Sequence, residues 1–440
     1  MKKLGFGVLG IVILTAVYYF TGLSDQVNLK LQQELDKQLT KMQAKGFSVS
    51  ERKLEGNKEH FVISLDDPKQ VSAFFINHGI HFSEEEAREY KDAKLGVDVN
   101  YLRNSIALDL YPVALPTSLR SSMVSVDEKK ILTQIEDMLK RKALLVHVNV
   151  NHLGTVFKGH IKDINETITA SNEAKLRMQG FKFSGNLKDE KLSHLEQSIN
   201  VMRLYVSDEI NIYLIGLQSA YTQTGKSTYD YSTSYSVEQI KMQSNTDLNF
   251  LTEGITLEST STVKDGLVSE TVKSTIKALE FITPQEAMGF EGLIVDMRID
   301  NLDLAAFERL QGLQSTDTKE FDDLLQKLIS NDIYMQIKTL SAERVTLYGK
   351  TVEGFTLQSA LHIDKSLKLS QLERNPLSAL EKIDAKMKII SSKALLELIE
   401  EDPGAMLTLM IFRPKTVNGK KVYSFELKNG SLKVNGKSVR

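Results

Sequence analysis

The sequence predicts an α+β protein that is predominantly antiparallel β-sheet, with short interspersed helices and one N-terminal transmembrane helix. Residues 152–280 are rich in Thr, Ser, Tyr, Val and Ile, and apolar residues there recur with period two, which is typical of strands. Shorter stretches such as 128–142 carry apolar residues at helical spacing. The run Leu4–Ser24 contains no charged residue, which indicates a membrane segment.

The N-terminal run is long enough to cross a bilayer, because a helix rises about 1.5 Å per residue and this one would reach about 30 Å. A cleaved secretory signal is the alternative, but its apolar part is usually about 7–15 residues long and is followed by small residues. Tyr18, Tyr19 and Phe20 occupy that place here. We therefore predict a retained anchor over 1–24, with Lys2 and Lys3 in the cytoplasm and the remaining chain exported.

The first half of the exported chain alternates short helices and strands. An amphipathic helix is predicted within 25–46, ending at Gly46. The next predicted elements, in chain order, are two strands around 55–58, a helix that begins at Pro68, a helix at 83–90, strands within 94–111, a helix at 128–142 and a strand at 143–150. Proline cannot donate to a strand ladder, so Pro112 is predicted to end the second of the strands in 94–111.

The second half returns to helix after the β-rich middle. Helices are predicted at 284–290, 303–313 and 319–330, and strands from Ile333 through Asp364. After a turn at Asn375-Pro376, the sequence predicts a strand at 383–389, a helix at 392–401 and a final hairpin.

That final hairpin has two independent signals in its sequence, FELKNGSLKV. Asn429-Gly430 suits a two-residue type I′ turn, because both residues tolerate positive φ. The resulting register pairs Phe425 with Val434 and Leu427 with Leu432, so the apolar side chains of both strands share one face.

Length and composition limit the organisation and the chemistry. About 415 exported residues exceed one hydrophobic core, so we predict subdomains at 47–165, 166–280 and 281–440. The chain has no cysteine, which excludes disulfides and thiolate sites, and its formal net charge is −2, with no basic stripe for nucleic acid.

Residues 220–227, AYTQTGKS, satisfy a relaxed form of the phosphate-binding P-loop pattern. A P-loop needs a strand before the turn and a helix after it, whose N-terminus faces the phosphates. Eight residues with strand alternation follow Ser227 instead of a helix. A hairpin turn explains the same residues, because Gly225 can supply the bend. The segment LIVD at 293–296 resembles the acidic strand end of a nucleotide site, but an ordinary strand that ends in an acid has the same pattern. We expect no nucleotide site here.

Other candidate sites are equally weak. GFGVLG at 5–10 resembles a dinucleotide fingerprint but lies in the apolar run, outside any βαβ unit. The histidine groups His78 with His81, and His147, His152 with His160, match no zinc spacing. Glu84, Glu85 and Glu86 fit the first turn of a helix. We therefore expect no catalytic, cofactor-binding or metal-binding residues, no cofactor, and a protein that is not an enzyme.

The segment TYDYSTSYS raises a different question. Alternation places Tyr229, Tyr231, Thr233 and Tyr235 on one face of a predicted strand. Such a face packs against another sheet or helix, or it belongs to a curved sheet whose apolar side holds an acyl chain. The sequence favours packing and leaves the groove as the alternative.

The layout resembles the YdgA-like family of bacterial envelope proteins, which has no assigned function. Three stretches carry the resemblance: Tyr19-Phe20-Thr21-Gly22 at the end of the N-terminal run, IDAKMKI at 383–389 with the helix through Leu395, Leu396 and Leu398, and the closing YSFELKNGSLKVNGK at 423–437. The strand-rich pattern with its NG hairpin is also loosely similar to AsmA-like lipid-associated envelope proteins.

The resemblance implies a bacterial inner-membrane protein with a periplasmic, β-rich body, and it implies no catalytic residues. The expected partners are the inner membrane, through residues 1–24, and a lipid or another envelope protein. The sequence leaves open whether the protein forms a homo-oligomer. The leading interpretation is a non-enzymatic interaction or scaffold protein, and a β-groove that binds lipid or another apolar ligand is the alternative.

Overall fold

A computed structural model describes residues 29–77, 82–170, 172–188, 191–207, 209–245, 248–311, 318–401 and 413–438. The chain divides into two compact units, Met1–Ala220 and Tyr221–Arg440. Both consist mainly of antiparallel strands with a few short helices, which confirms the β-rich α+β prediction. Within the described residues, no helix has the length and apolar character to cross a membrane. The predicted anchor, Leu4–Ser24, lies outside these residues, and the three predicted subdomains stay a prediction.

The N-terminal unit is built on one antiparallel sheet. Its strands, in chain order, are β1 (Phe47–Glu55), β2 (Lys58–Leu65), β3 (Lys94–Tyr101), β4 (Ser105–Ala114), β5 (Val146–Asn151), β6 (Val156–Ile161), β7 (Ile164–Thr169), β8 (Glu173–Gln179), β9 (Lys182–Lys188) and β10 (Lys191–Val206). They lie side by side in the order β1-β2-β3-β4-β5-β6-β9-β10-β8-β7. The next strand, β11 (Ile210–Gln223), contains the boundary between the units.

Four of the five described helices of this unit match predicted ones, and the short helix at 117–122 was not predicted. The five are α1 (Leu29–Gln43), α2 (Pro68–Asn77), α3 (Glu84–Glu89), α4 (Thr117–Ser122) and α5 (Val126–Lys140). Leu35, Leu39 and Met42 of α1 are buried, and Gly46 follows with φ of 88°. Helices α3 and α5 each begin with a capping box, in which the serine before the helix and the glutamate three residues later satisfy backbone N–H groups reciprocally.

Strand alternation determines which side of this sheet is the core. Val146, Val148 and Val150 are buried, whereas His147 and Asn149 between them are half-buried on the other face. The core face packs against α1, α2 and α3, with edge-to-face contacts between Phe47, Phe74 and Phe75. The remaining large, fully buried side chains of this core are Phe61, Phe157, Ile106, Leu108, Leu110, Ile161, Val71 and Val97.

The prediction that Pro112 ends its strand is wrong, because β4 continues to Ala114. Pro112 lies opposite Leu95 at a register shift between β3 and β4. On the other side, pairing with β5 stops at Leu110. A proline at a bulge beside an open strand edge removes no ladder hydrogen bond, so the strand tolerates it.

The C-terminal unit is likewise built from antiparallel strands, most of them long. These are β12 (Tyr231–Ser244), β13 (Asn249–Lys264), β14 (Leu267–Ile282), β15 (Ala287–Asp303), β16 (Ile333–Leu347), β17 (Lys350–Ile363), β18 (Ile383–Ser391), β19 (Lys415–Val417), β20 (Lys420–Lys428), β21 (Ser431–Val434) and β22 (Lys437–Ser438). Strands β12 to β18 pair in chain order, and β20 follows β18, with β19 and β21 on its other edge.

The helices of this unit are α6 (Leu304–Gln311), α7 (Thr318–Leu328), α8 (Leu369–Arg374), α9 (Pro376–Leu380) and α10 (Lys393–Ile399). The helix predicted at 284–290 is wrong: β15 begins at Ala287 and pairs with the end of β14, so sheet pairing overrides local preference. Asn375 caps α9 through its side chain instead of forming only a turn. Tyr229, predicted in a strand, lies in the turn before β12.

The closing hairpin is confirmed in detail. Phe425 pairs with Val434 and Leu427 with Leu432. Asn429 and Gly430 have φ of 50° and 72°, as a type I′ turn requires.

Candidate functional site

The C-terminal unit contains a partly open, apolar cavity of about 370 Å³ between α10 and one face of the sheet. Its lining comes from α10 and from strands β15, β16, β17, β18 and β20. The lining residues are Phe290, Val345, Leu347, Phe355, Ile389, Ser391, Leu395, Leu396, Ile399, Tyr423 and Phe425.

Helix α10 forms one wall because its sequence is amphipathic and its start is fixed. Ser392 caps the helix by accepting a hydrogen bond from the backbone N–H of Leu395 at 3.1 Å. The same hydroxyl donates to the backbone carbonyl of Glu353 in β17, which ties the helix to the sheet. Leu395 and Leu396 are therefore held, buried, against the strands.

The opposite wall is assembled by cross-strand register. Phe290 lies opposite Val345, Phe355 opposite Ser391, and Ile389 opposite Tyr423. Paired residues of neighbouring strands share a face, so side chains about 30 to 130 positions apart in sequence meet at one surface.

A local irregularity interrupts the alternation of buried and exposed residues in β16, next to this wall. In β16, Ala342 and Val345 are both buried, while Glu343 and Arg344 between them are exposed. Gly292 of the neighbouring strand has φ of 62°, and a Cβ there would lie 2.6 Å from the side chain of Glu343. Strict alternation is interrupted at this point, so Ala342 and Val345, three residues apart, both pack in the buried cluster with Leu395, and Val345 lines the cavity.

Among the described lining residues, only Ser391 and Tyr423 have polar side chains. The Ser391 hydroxyl donates to the backbone carbonyl of Ser392 at 3.1 Å. The Tyr423 hydroxyl is buried without a hydrogen-bond partner, and burial, together with the charge of Glu400, raises its pKa, so it stays neutral. A surface of this kind suits a hydrocarbon group and offers no activated acid, base or nucleophile.

The cavity continues into a half-buried apolar row that crosses the sheet. Successive cross-strand neighbours form this row, from β12 to β20: Tyr235, Leu257, Ser274, Val295, Leu340, Leu357, Ile389 and Tyr423. We call these residues the apolar row. Tyr235 at its far end is 47% exposed, and Tyr423 at the cavity is 6% exposed. The tyrosine-bearing face predicted from TYDYSTSYS therefore shares its side of the sheet with the cavity, except for Tyr229, which packs against Phe307.

The P-loop-like segment forms a turn. Strand β11 ends at Gln223, β12 begins at Tyr231, and no helix follows Ser227. The turn is closed by the backbone N–H of Thr224, which donates to the carbonyl of Asp230 at 2.8 Å. The Asp230 side chain accepts from the N–H groups of Ser227 and Val263, so these donors do not face a phosphate. The LIVD segment lies within β15.

The remaining sequence candidates form no site within the described residues. His147 contacts Asp109 at 2.7 Å and lies beside the His160 ring, with centroids 5.2 Å apart. Among the described residues, no group of three His, Asp or Glu side chains could hold a metal ion. His78, His81 and the GFGVLG segment lie outside the described residues. Glu84, Glu85 and Glu86 form the first turn of α3, as predicted.

From the sequence, Leu395, Leu396 and Phe425 were named only as parts of a helix and a hairpin, and no residue was assigned to a cavity. Each contributing strand has apolar residues at period two, but that pattern does not show which strands are neighbours. The one available signal was the amphipathic segment after Ser392, which had to pack on some apolar surface.

Comparison with known proteins gave one match. A family model described as "Bacterial protein of unknown function (DUF945)" matches residues 128–408. The matched part includes most of the cavity lining. Neither curated proteins nor solved structures gave a match.

Proposed function

Because this chain belongs to the bacterial family of unknown function DUF945, we propose a function from geometry: the C-terminal unit binds an apolar ligand, such as the acyl chain of a lipid. The observation that carries this proposal is the cavity beneath α10. Its volume of about 370 Å³ lies in the range of small-molecule sites, about 300–1,000 Å³.

The energetics favour hydrocarbon over water in this cavity. A water molecule needs two to four polar partners, and the lining supplies almost none, so water in this cavity is poorly hydrogen-bonded and an apolar group displaces it favourably. Each methylene group that enters gains about 0.8 kcal/mol from burial. A chain of several methylene groups therefore offsets the entropic cost of association.

The apolar row supports the same function, because it extends the surface on which a long ligand would lie. Tyr235 and Met297 are 47% and 39% exposed, and they lie on the side of the sheet that bears the cavity. Exposed large apolar side chains that continue from a cavity are typical of ligand-binding grooves.

Tryptophan fluorescence tests the proposal, because the native chain contains no tryptophan. Phe355→Trp places a single fluorophore in the cavity lining, and fatty acids brominated along the chain serve as quenching probes. We expect saturable quenching of this variant. Phe321→Trp in α7, at a position 44% exposed and outside the lining, is the control and should show none. Equal quenching of both variants, or of neither, would refute binding in the cavity.

A pair of variants distinguishes binding in the cavity from nonspecific binding of fatty acids elsewhere on the protein. Ile389→Phe adds volume inside the cavity, whereas Ile390→Phe adds the same volume on the other face of β18. We expect the first to weaken fatty-acid binding at least tenfold and the second to leave binding unchanged. Mass spectrometry of protein purified in mild detergent should also detect acyl chains with the native protein and fewer with Ile389→Phe.

We also propose that the protein is a single-pass inner-membrane protein with a periplasmic body, and that it is not an enzyme. The support is the uncharged run Leu4–Ser24 behind Lys2 and Lys3, and the lack of reactive groups in the cavity. Protease added to spheroplasts should digest the body. Full protection of the body in intact spheroplasts, with digestion after lysis, would refute this orientation.

A further inference from the structure

We propose that the polar face of the C-terminal sheet, opposite the cavity, is a groove that binds a linear oligosaccharide. Two concavities of about 540 and 650 Å³ adjoin on this face. They share the residues Gln336, Lys338, Ala360 and Lys386, so they form one elongated depression across β16, β17 and β18. We call it the polar groove. Its shared row of Gln336, Ala360 and Lys386 lies on the other face from the apolar cavity, and Phe425 contributes to the lining of both.

A small residue forms the floor of the polar groove. Cross-strand neighbours place Arg298, Gln336, Ala360 and Lys386 in one row. Long polar side chains flank Ala360, whose methyl group leaves the space between them open. A chain of sugar rings fits such a shallow, elongated depression better than a compact ligand does.

An aromatic platform lies beside this floor. Tyr334 is 48% exposed, and its ring stacks on His362 with centroids 4.3 Å apart and an angle of 10°. The next cross-strand neighbours are Asp300 on one side and Asp384 on the other. An aromatic ring offers an apolar surface next to polar groups, which complements the C–H face of a pyranose ring and its hydroxyl edge.

The charges of the groove favour a sugar over a simple anion or a hydrocarbon. Arg298 is fixed by hydrogen bonds to Asp300 at 2.7 and 2.9 Å, and Lys386 lies 3.4 Å from Glu426. Donors and acceptors therefore alternate along the groove, and sugar hydroxyl groups both donate and accept. A phosphate would meet the carboxylates, whereas an acyl chain would have to desolvate charged groups.

The balance of charge also indicates the class of sugar. The lining contains five basic side chains and three acidic ones, so the groove is mildly basic: Arg298, Lys338, Lys386, Lys388 and Lys428 against Asp300, Asp384 and Glu426. An oligosaccharide with some acidic residues is expected to bind more tightly than a neutral one, and added salt should reduce that difference.

Titration calorimetry of the full-length protein in detergent tests the proposal with four probes: cellohexaose, chitohexaose, hexagalacturonate and inorganic polyphosphate. We expect binding of at least one hexasaccharide, with hexagalacturonate the tightest. Tyr334→Ala should weaken binding about tenfold or more, and Tyr334→Phe should retain it, because the ring supplies the contact. Phe321→Ala removes an aromatic ring of similar exposure on α7 and should have no effect.

Three results would overturn the proposal. The first is no binding of any hexasaccharide, and the second is binding that Tyr334→Ala leaves unchanged. The third is binding of polyphosphate alone, which would indicate a general anion surface. If Tyr334→Ala lowers the thermal unfolding temperature, Tyr334→Trp replaces it: its emission should shift on addition of the hexasaccharide, and an unchanged spectrum counts against the groove.

Discussion

Replacing Arg52 tests how the N-terminal unit tolerates a buried carboxylate. Glu59 of β2 is 3% exposed. It accepts hydrogen bonds from the Arg52 guanidinium and, at 2.5 Å, from the Tyr101 hydroxyl. Arg52 also bridges to Asp36 of α1. Glu51, with φ of 54°, lies at the register shift of β1 that places Arg52 over Glu59.

The expected effect of Arg52→Met follows from burial. A buried charge that loses its partner typically costs about 3–5 kcal/mol. Arg52 is 40% exposed, so water can reach part of the site, and the Tyr101 bond remains. Burial and Glu59 raise the pKa of Tyr101, which keeps this donor protonated. We expect a loss of about 2–3 kcal/mol in the free energy of unfolding of this unit.

Hydrogen exchange of the β2 and β3 amides, measured across a urea series at pH 7, reports this free energy for the N-terminal unit alone. Adding Glu59→Gln to Arg52→Met should recover about half of the loss, because no charge is then left buried. The control Arg88→Met breaks an exposed pair with Glu84 and should cost less than about 0.5 kcal/mol. A loss for Arg52→Met as small as the control's, or no recovery in the double variant, would refute the reasoning.

Three further predictions concern local features. Burial would raise the pKa of Asp98, but hydrogen bonds from Lys142 and His60 outweigh burial and lower that pKa. The ionised Asp98 carboxylate therefore stabilises the folded protein above about pH 4, and this stabilisation is lost as the pH falls through the lowered pKa. Asp98→Asn should therefore lower the thermal unfolding temperature at pH 7 and converge with the native protein near pH 2; a constant difference would contradict this. Gly430→Ala should destabilise the closing hairpin by about 1 kcal/mol because φ there is 72°, as faster exchange in β20 and β21 would show. Ser125→Ala removes one capping box and should cost about 1 kcal/mol, measured by exchange in α5, whereas Ser125→Asp should restore it.

The sequence predicts this fold best where local signals act within a few residues. The Asn429-Gly430 hairpin depends on hydrogen bonds and φ values of neighbouring residues. The prediction of a helix at 284–290 was wrong, because Ala287 pairs with Ile282 across a tight turn. The prediction that Pro112 ends its strand was wrong, because β5 does not pair with β4 at that position and the pairing with β3 is irregular there. Both outcomes depend on neighbouring strands, which local preference does not contain.

Local sequence signals predict the candidate sites even less well than they predict the fold. The apolar character of the strands and the amphipathic segment after Ser392 are properties of the sequence alone. The cavity exists because the register brings Phe290, Phe355 and Tyr423 from separate strands to one face under α10. The polar groove likewise requires Ala360 to lie between Gln336 and Lys386.

By itself, the sequence determined that this protein is β-rich, free of disulfides and closed by an Asn-Gly hairpin. Only the tertiary structure decided that the apolar residues leave a cavity, that the tyrosine-bearing strand shares its face with that cavity, and that a polar groove lies on the other side. The physical reason is that alternation assigns each side chain to a face, whereas strand order and register decide which side chains meet there.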